Sequence, residues 1–416
     1  MINAFKIKRV RKAFLFTLAM MLVYCIGRNL VIPGINTDNF SSEFSMLSIL
    51  SLLTGGSLET FSLFSLGVGP LITASIITEL LSNDIIPYLK ELKEQGQKGR
   101  KKLSRINQRI GFVLALLQSY SLVKLFNVKY GIIDNNVTSY IFVMVVMTAG
   151  CLLLGWIGSQ ITSYGIGNGL STIILFGILV NLPNQLMTSY NSITQLAKTT
   201  TLGYVYFGIY VLILLLIMLA ITWLSTGVRK IKIAYSGQKL NTGSQFTYLP
   251  IKPNTTSVLP LILANSVMTA PLIIVSYFSY SLYQKLESTI GLGTPIGTMI
   301  LAVLLVLLGL FYGSLVLNPE DMDKNLSKNG GYIPGVRPGV ETRKYLSSVI
   351  NNTLLVGIIG LLFLVITPYI LTLVFNIPSN ITFGGTSFIL IVAIITEIIN
   401  TIETNVIESK YKEWGI

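Results

Sequence analysis

The sequence predicts an all-α polytopic membrane protein that crosses the bilayer ten times, and three observations predict it. The first is composition. Of 416 residues, 52% are hydrophobic and only 11% are charged, and the mean hydropathy is +0.69. A soluble domain carries about a quarter charged residues, so most of this chain lies where charge is costly. The second is the length of its apolar runs. They approach about 20 residues, rich in Leu and Ile, as helical spans require; barrel strands would be about ten residues long and alternate. Lipid offers the backbone no hydrogen bonds, and only helices and closed barrels satisfy their own. The third is charge, because the basic residues gather in every second loop.

The expected spans are residues 13–33, 59–83, 106–126, 138–159, 169–183, 203–224, 257–280, 296–317, 349–374 and 384–403. The fifth is short for a full crossing. Lys6, Lys8, Arg9, Arg11 and Lys12 precede or open the first span. Lys90, Lys93, Lys98, Arg100, Lys101, Lys102 and Arg105 follow the second. Arg229, Lys230, Lys232, Lys239 and Lys252 follow the sixth, and Lys324, Lys328, Arg337, Arg343 and Lys344 follow the eighth. The opposite loops hold only Lys129, Lys198 and Lys285. The positive-inside rule then places both termini in the cytoplasm, as an even number of spans requires. The net charge of +13 reads the same way, as cytoplasmic loops rather than a nucleic-acid surface. The basic start and its apolar run lead into Pro33-Gly34 without a small-x-small site, so no cleavable signal peptide is expected.

Ten spans divide five and five, into residues 1–185 and 186–416, the second part carrying cytosolic loops at 225–256 and 318–348. Five is odd, so the second part enters from the opposite side. That topology permits two inverted five-helix halves. Residues 45–56, interrupted by serines and ending in Gly55-Gly56, are too short to cross and fit a half-inserted helix or an amphipathic surface helix equally well. Gly67, Gly69 and Pro70 interrupt the second span and Pro271 the seventh, as in helices that line a path or merely kink.

Polar groups within the spans are few. Arg28, Glu79, Glu397 and Glu403 lie near span ends, where snorkelling to the interface is expected. No carboxylate stands at a span centre, which argues against an ion-coupled solute transporter. The chain has no His, so no histidine metal site or base exists. Cys25 and Cys151 fall in apolar runs and read as small buried hydrophobes rather than a disulfide. There is no GxxxxGK[ST] loop, and Gly165-Ile166-Gly167-Asn168-Gly169 is a turn between spans. No cofactor, metal or enzymatic activity is expected, and any energy comes from a partner. The loop at 318–348 sets Arg337 among Pro334, Gly335, Pro338 and Gly339. These fix turns and hold a guanidinium on a rigid tip suited to docking.

Several segments resemble the SecY family, in order along the chain. They are Ile32-Pro33-Gly34-Ile35, Gly55-Gly56-Ser57, Phe61–Gly67 with Pro70–Ile77, Gln160-Ile161-Thr162 with the 165–169 turn, Tyr248–Lys252, Asn318-Pro319-Glu320-Asp321, Ile333–Gly339, and Phe383–Ser387. The resemblance implies a protein-conducting channel of two five-helix halves, shaped as an hourglass, plugged outside and opening sideways to lipid. By motif position the pore ring is Val68, Ile72, Leu170, Ile174, Ile262 and Leu390. The plug includes Ser48, Ile49, Leu50, Leu52 and Leu53. The lateral gate, between spans two and three and spans seven and eight, carries Thr73, Gln118 and Asn265. Arg337, Arg229 and Lys230 fall where the motor docks.

The implied partners are a SecA-type ATPase, SecE- and SecG-like small subunits, unfolded preproteins and the lipid of a bacterial cytoplasmic membrane. Departures from the family pattern narrow the resemblance. Val68, Leu170 and Leu390 make the ring less isoleucine-rich. The loop after span six is short and less basic, Cys25 stands where an Arg is common, and the tail beyond span ten is brief. Together they resemble the accessory SecY of some Gram-positive bacteria, which serves a dedicated motor, accessory secretion proteins and serine-rich glycosylated adhesins. A housekeeping SecY is the alternative, and an ion-coupled transporter is the reading from another class.

Overall fold

An apolar run in lipid closes its hydrogen bonds along its own axis, and the computed structural model shows this throughout. It describes residues 7–35, 61–82, 86–131, 136–196, 200–235, 247–251, 259–291, 294–375 and 385–413. The helices are α1 (Lys8–Asn29), α2 (Gly69–Ser82), α3 (Pro87–Glu94), α4 (Gly96–Tyr130), α5 (Val137–Tyr164), α6 (Gly169–Leu196) and α7 (Thr200–Thr226). Strands β1 (Arg229–Tyr235) and β2 (Thr247–Ile251) follow. Then come α8 (Leu259–Phe278), α9 (Tyr280–Ile290), α10 (Pro295–Val316), α11 (Pro319–Lys328), β3 (Gly331–Tyr332), α12 (Val340–Phe375) and α13 (Gly385–Glu413). Eight of these regions are long and apolar enough to span a membrane, and α2 and α8 contain shorter apolar helices. Together they account for the ten expected crossings.

Two spans differ from expectation. Residues 59–83 were expected to form one helix, yet 61–68 are turns and helix begins only at Gly69. The turn segment pairs with the end of α1: Ile32 N–H donates to Phe61 O at 3.1 Å and Leu63 N–H to Leu30 O at 2.8 Å. Such backbone survives at membrane depth only inside protein, and Phe61, Ser62, Phe64, Ser65, Leu66 and Val68 are all buried. Pro70, which needs no amide partner, then starts α2. The close fit is set by Gly27, where a Cβ would lie 2.1 Å from the Phe64 ring. The second difference is α6. Pro183 was taken as its end, but the helix runs through it to Leu196. Packing of Tyr190 edge-on against Phe207 of α7, at 5.2 Å, holds the extension that Pro183 alone would discourage.

The third difference is a sheet. No strand was expected, but the loops at 225–256 and 318–348 meet in an antiparallel sheet of order β2-β1-β3. Arg229 pairs with Ile251 and Ile233 with Thr247, while Ala234 pairs with Tyr332. Ile231, Ile233 and Ile251 bury their faces against Leu326, Ile333, Leu346 and Ile350. α11 is positioned by its own start signals. Asn318 caps it by accepting from Glu320 N–H, Pro319 opens it, and Glu320 and Asp321 face its positive end. Buried Asp323 then accepts from Arg343 Nε of α12 at 2.9 Å.

Helices α1–α6 meet α7–α13 along two seams. At the front, α2 and α4 pack on α8. At the back, α6 packs on α7 and α13, and α1 touches α13. Val10 near the start of α1, Ile166 in the α5–α6 turn and Ile402 late in α13 share one small core. The described ends of the chain therefore lie on the same side of the bundle.

Candidate channel, gate and docking face

The six aliphatic residues expected to form the ring come from four places in the chain. Val68 and Ile72 flank the start of α2, Leu170 and Ile174 open α6, Ile262 opens α8, and Leu390 opens α13. The fold brings them into one apolar cluster, with Val68, Ile72, Ile174 and Leu390 buried and Leu170 and Ile262 half-buried against them. Were these six to line a constriction, its apolar wall would expel water, and ions with it, yet offer a passing chain no group to bind.

Ile72 and Ile262 stand on α2 and α8, the helices of the front seam. On that seam Thr73 Oγ1 lies 3.5 Å from Ser266 Oγ. Thr73 also donates to Gly69 O, one turn earlier, at 3.1 Å. Asn265, beside Ser266, is buried, and its Oδ1 makes no hydrogen bond among the described residues. Gln118 is half-buried on α4, which packs on α8. The structure thus brings Thr73 against Ser266, next to Asn265 in the chain, and among the described residues shows no hydrogen bond that joins Thr73, Gln118 and Asn265 into one cluster. Sequence reasoning missed Ser266, since a lone serine one place from Asn265 carries no signal of its own.

The loop tip that carries Arg337 is held from both sides. Val336 packs on the core beneath the sheet, and its N–H donates to Ile333 O at 3.1 Å. Thr342 Oγ1 donates to Arg337 O at 2.9 Å. Gly335 and Gly339 take φ of +86° and +99°, which side chains rarely adopt. Arg337 is left exposed between them. Arg229 and Lys230 are exposed at the opposite end of β1 from its pairing with β3. They belong to the same sheet body as Arg337 but not to the same tip. The plug residues Ser48, Ile49, Leu50, Leu52 and Leu53 lie outside the described residues.

Arg28 departs from the snorkelling expected of it. Its side chain is 9% exposed and donates to Asn181 Oδ1 of α6, tying the first span to the fifth. An inward polar partner is a better host for a guanidinium than the interface when both helices already pack together. Asn181 gave no sign of this role in the sequence, because its nearest charge is remote along the chain.

Comparison with known proteins bears on this arrangement directly. The family model described as SecY matches residues 62–399. The chain belongs to the SecY family. It is 36% identical over 425 residues to the protein translocase subunit SecY of Staphylococcus carnosus, covering 100% of this chain and 98% of that one. It is 35% identical to the protein translocase subunit SecY of Staphylococcus aureus strain NCTC 8325, covering 99% of that chain. Among solved structures it resembles one described as a protein conducting channel, with TM-score 0.68 and 18% identity over 95% of this chain and 92% of that one. It also resembles Sec61 in the canine ribosome-channel complex, with TM-score 0.65 and 17% identity over the same shares. The fold is therefore the ten-helix fold of these channels.

Proposed function

We propose that the chain is the central channel subunit of a Sec-type protein translocase in a bacterial cytoplasmic membrane, passing unfolded preproteins. The observation that carries this is the convergence of six aliphatic side chains from four helix starts into one cluster, beside a front seam joined by sparse polar contacts. A seal that an extended chain can part, next to a seam that a hydrophobic signal helix can open, is what the activity needs. The curated relatives named as translocase subunits support it. Both termini and the sheet body would face the cytoplasm, on the basic side. The two five-helix sets, 1–185 and 186–416, would act as the halves that part. Arg337, with Arg229 and Lys230, would receive a SecA-type ATPase, and SecE- and SecG-like subunits would complete the complex. The chain itself would carry no catalytic step.

Within this function we favour the accessory channel that exports serine-rich glycosylated adhesins with a dedicated motor. Val68, Leu170 and Leu390 in the ring and Cys25 in span one support it, and housekeeping secretion is the second reading. One experiment separates them. Capture of the tagged chain from its native membrane should bring down a second SecA-type motor, accessory secretion proteins and an adhesin. A general motor with varied preproteins would identify the housekeeping channel. Solute accumulation by the purified protein in liposomes, without a motor, would replace both with a transporter.

A further inference from the structure

The side of the bundle opposite the sheet carries a helix that the reading above does not use. α10 runs into Leu317, which packs in the core beneath the sheet, so its start at Pro295 lies at the far end. α8 and α10 have 20 and 22 residues. They are about 30 and 33 Å long, and each can cross the hydrocarbon core. α9 joins their far ends. At one end helical bonding runs through Ser279: its N–H donates to Val275 O and its carbonyl accepts from Tyr283 N–H, both at 3.1 Å. At the other, Thr294 N–H donates to Gly291 O at 3.1 Å. A Cβ on Gly297, in the first turn of α10, would overlap that same Gly291 oxygen. α9 has 11 residues, about 16 Å. With each end pinned to the end of a span, it lies across the bundle and does not stand off it.

α9 has two faces. Leu282, Leu286 and Ile290 recur every fourth residue along one. Ser281, Gln284, Lys285 and Ser288 fall on the other and are exposed. Ile290 packs on the main core and Leu286 is half-buried, but Leu282 is 53% exposed. The apolar face is therefore covered by protein at one end and open at the other. The open end continues surfaces that face lipid. On α8, Val267, Pro271, Ile274 and Phe278 are exposed at helical spacing, Phe278 at 83%. On α10, Ile296, Met299, Val303 and Leu307 form a second exposed stripe. α9 runs between the far ends of these two stripes. Its only charges, Lys285 and Glu287, cancel. It therefore suits the boundary of acyl chains and headgroups, with no preference for anionic lipid.

We propose that α9 is an interfacial helix, seated by Leu282 in the lipid of the leaflet opposite the sheet, that holds the far ends of α8 and α10 at a fixed depth. On the orientation proposed above this is the outer leaflet. Because α8 packs on α2 and α4 across the front seam, α9 sets the depth at which that seam meets the bilayer.

The test places nitroxides one at a time on the full-length chain, with any small subunits that co-purify, in proteoliposomes. Cys25→Ala and Cys151→Ala remove the native thiols. Labels at Leu282→Cys and Phe278→Cys should collide more with oxygen, which concentrates among acyl chains, than with a water-soluble nickel chelate. A label at Lys285→Cys should show the reverse. Labels at Ser281→Cys and Ser288→Cys, about 10 Å apart along the helix, should lie at one depth. Leu282→Glu should move a label at Ile296→Cys toward water, whereas Leu282→Met should leave it in place. Nickel access at Leu282 equal to that at Lys285 would overturn the seat, as would a label at Leu282 shielded from both reagents by a protein partner. Depths at Ser281 and Ser288 that differ by about 10 Å, the full rise between them, would overturn the flat placement. An unmoved label at Ile296 in Leu282→Glu would overturn the hold. None of these readings uses a motor or a cargo, so failure of the channel reading in an export assay would leave them standing.

Discussion

The front and back seams join the same two sets of helices by different means. At the back, Tyr190 of α6 packs edge-on against Phe207 and at 6.1 Å from Tyr204, both on α7. Gly203 brings α7 so near that a Cβ would lie 3.1 Å from Thr194 Cγ2. Buried Ile178, Tyr210, Leu214 and Ile217 continue that core. At the front, Thr73 meets Ser266 at 3.5 Å, with buried Asn265 leaving its Oδ1 without a hydrogen bond among the described residues. Aromatic pairs contribute about 0.5–1.5 kcal/mol each beyond the area they bury. A hydrogen bond between membrane helices contributes about 0.6 kcal/mol. The difference teaches where such a molecule can part, since a hinge needs one seam that holds and one that yields.

Four sets of substitutions break or sharpen that contrast. The largest effect is expected at Arg337, which lies on neither seam. Arg337→Glu should abolish export and the motor's translocation-stimulated ATPase while the protein inserts at wild-type levels and stays ion-tight. Arg337→Lys should be partly defective, because it keeps charge and loses the planar fork. Normal export by Arg337→Glu would mean that the loop is only a solvated turn. Next come the two expected ring residues on the front-seam helices. Ile72→Ser with Ile262→Ser should wet the constriction and let ions leak from resting vesicles, and an unchanged conductance would remove these residues from the pore.

The back seam should answer in stability instead. Phe207→Ala removes the ring that Tyr190 packs against and should cost about 2–3 kcal/mol. Thermal unfolding in detergent reads this, and signal selectivity should stay as in wild type. The smallest effect belongs to the front. Thr73→Ala or Ser266→Ala should cost under about 1 kcal/mol and yet loosen signal selectivity about threefold in an export assay. A Thr73→Ala protein destabilised as much as Phe207→Ala would show that the two seams are not held differently after all.

Much of this was legible in advance. Apolar run length, basic loops and collinear motifs gave ten helical regions in order and the SecY family, and the six residues expected at the ring lie within the large apolar core. Hydropathy and motif spacing are local properties, and span number and family depend on local properties. The helix start at Asn318-Pro319-Glu320-Asp321 was read only as a family motif in a loop, although its cap, proline and acidic first turn are local signals. The other misses share a cause. Residues 61–68 form turns because they pair with residues 30–32. α6 passes Pro183 because α7 packs on it, and β1 forms because β2 and β3 arrive from distant loops.

The sequence by itself therefore determined that the chain crosses a membrane ten times, which loops carry charge, and which family's pattern it bears. Only the tertiary structure decided that Thr73 meets Ser266, that Arg28 turns inward to Asn181, and that two loops become one sheet. The physical reason is that hydrophobic burial is written residue by residue along a helix, whereas a polar side chain records only its capacity to bond. Its partner is fixed when packing brings a second polar group within about 3 Å, and that meeting belongs to no single stretch of chain.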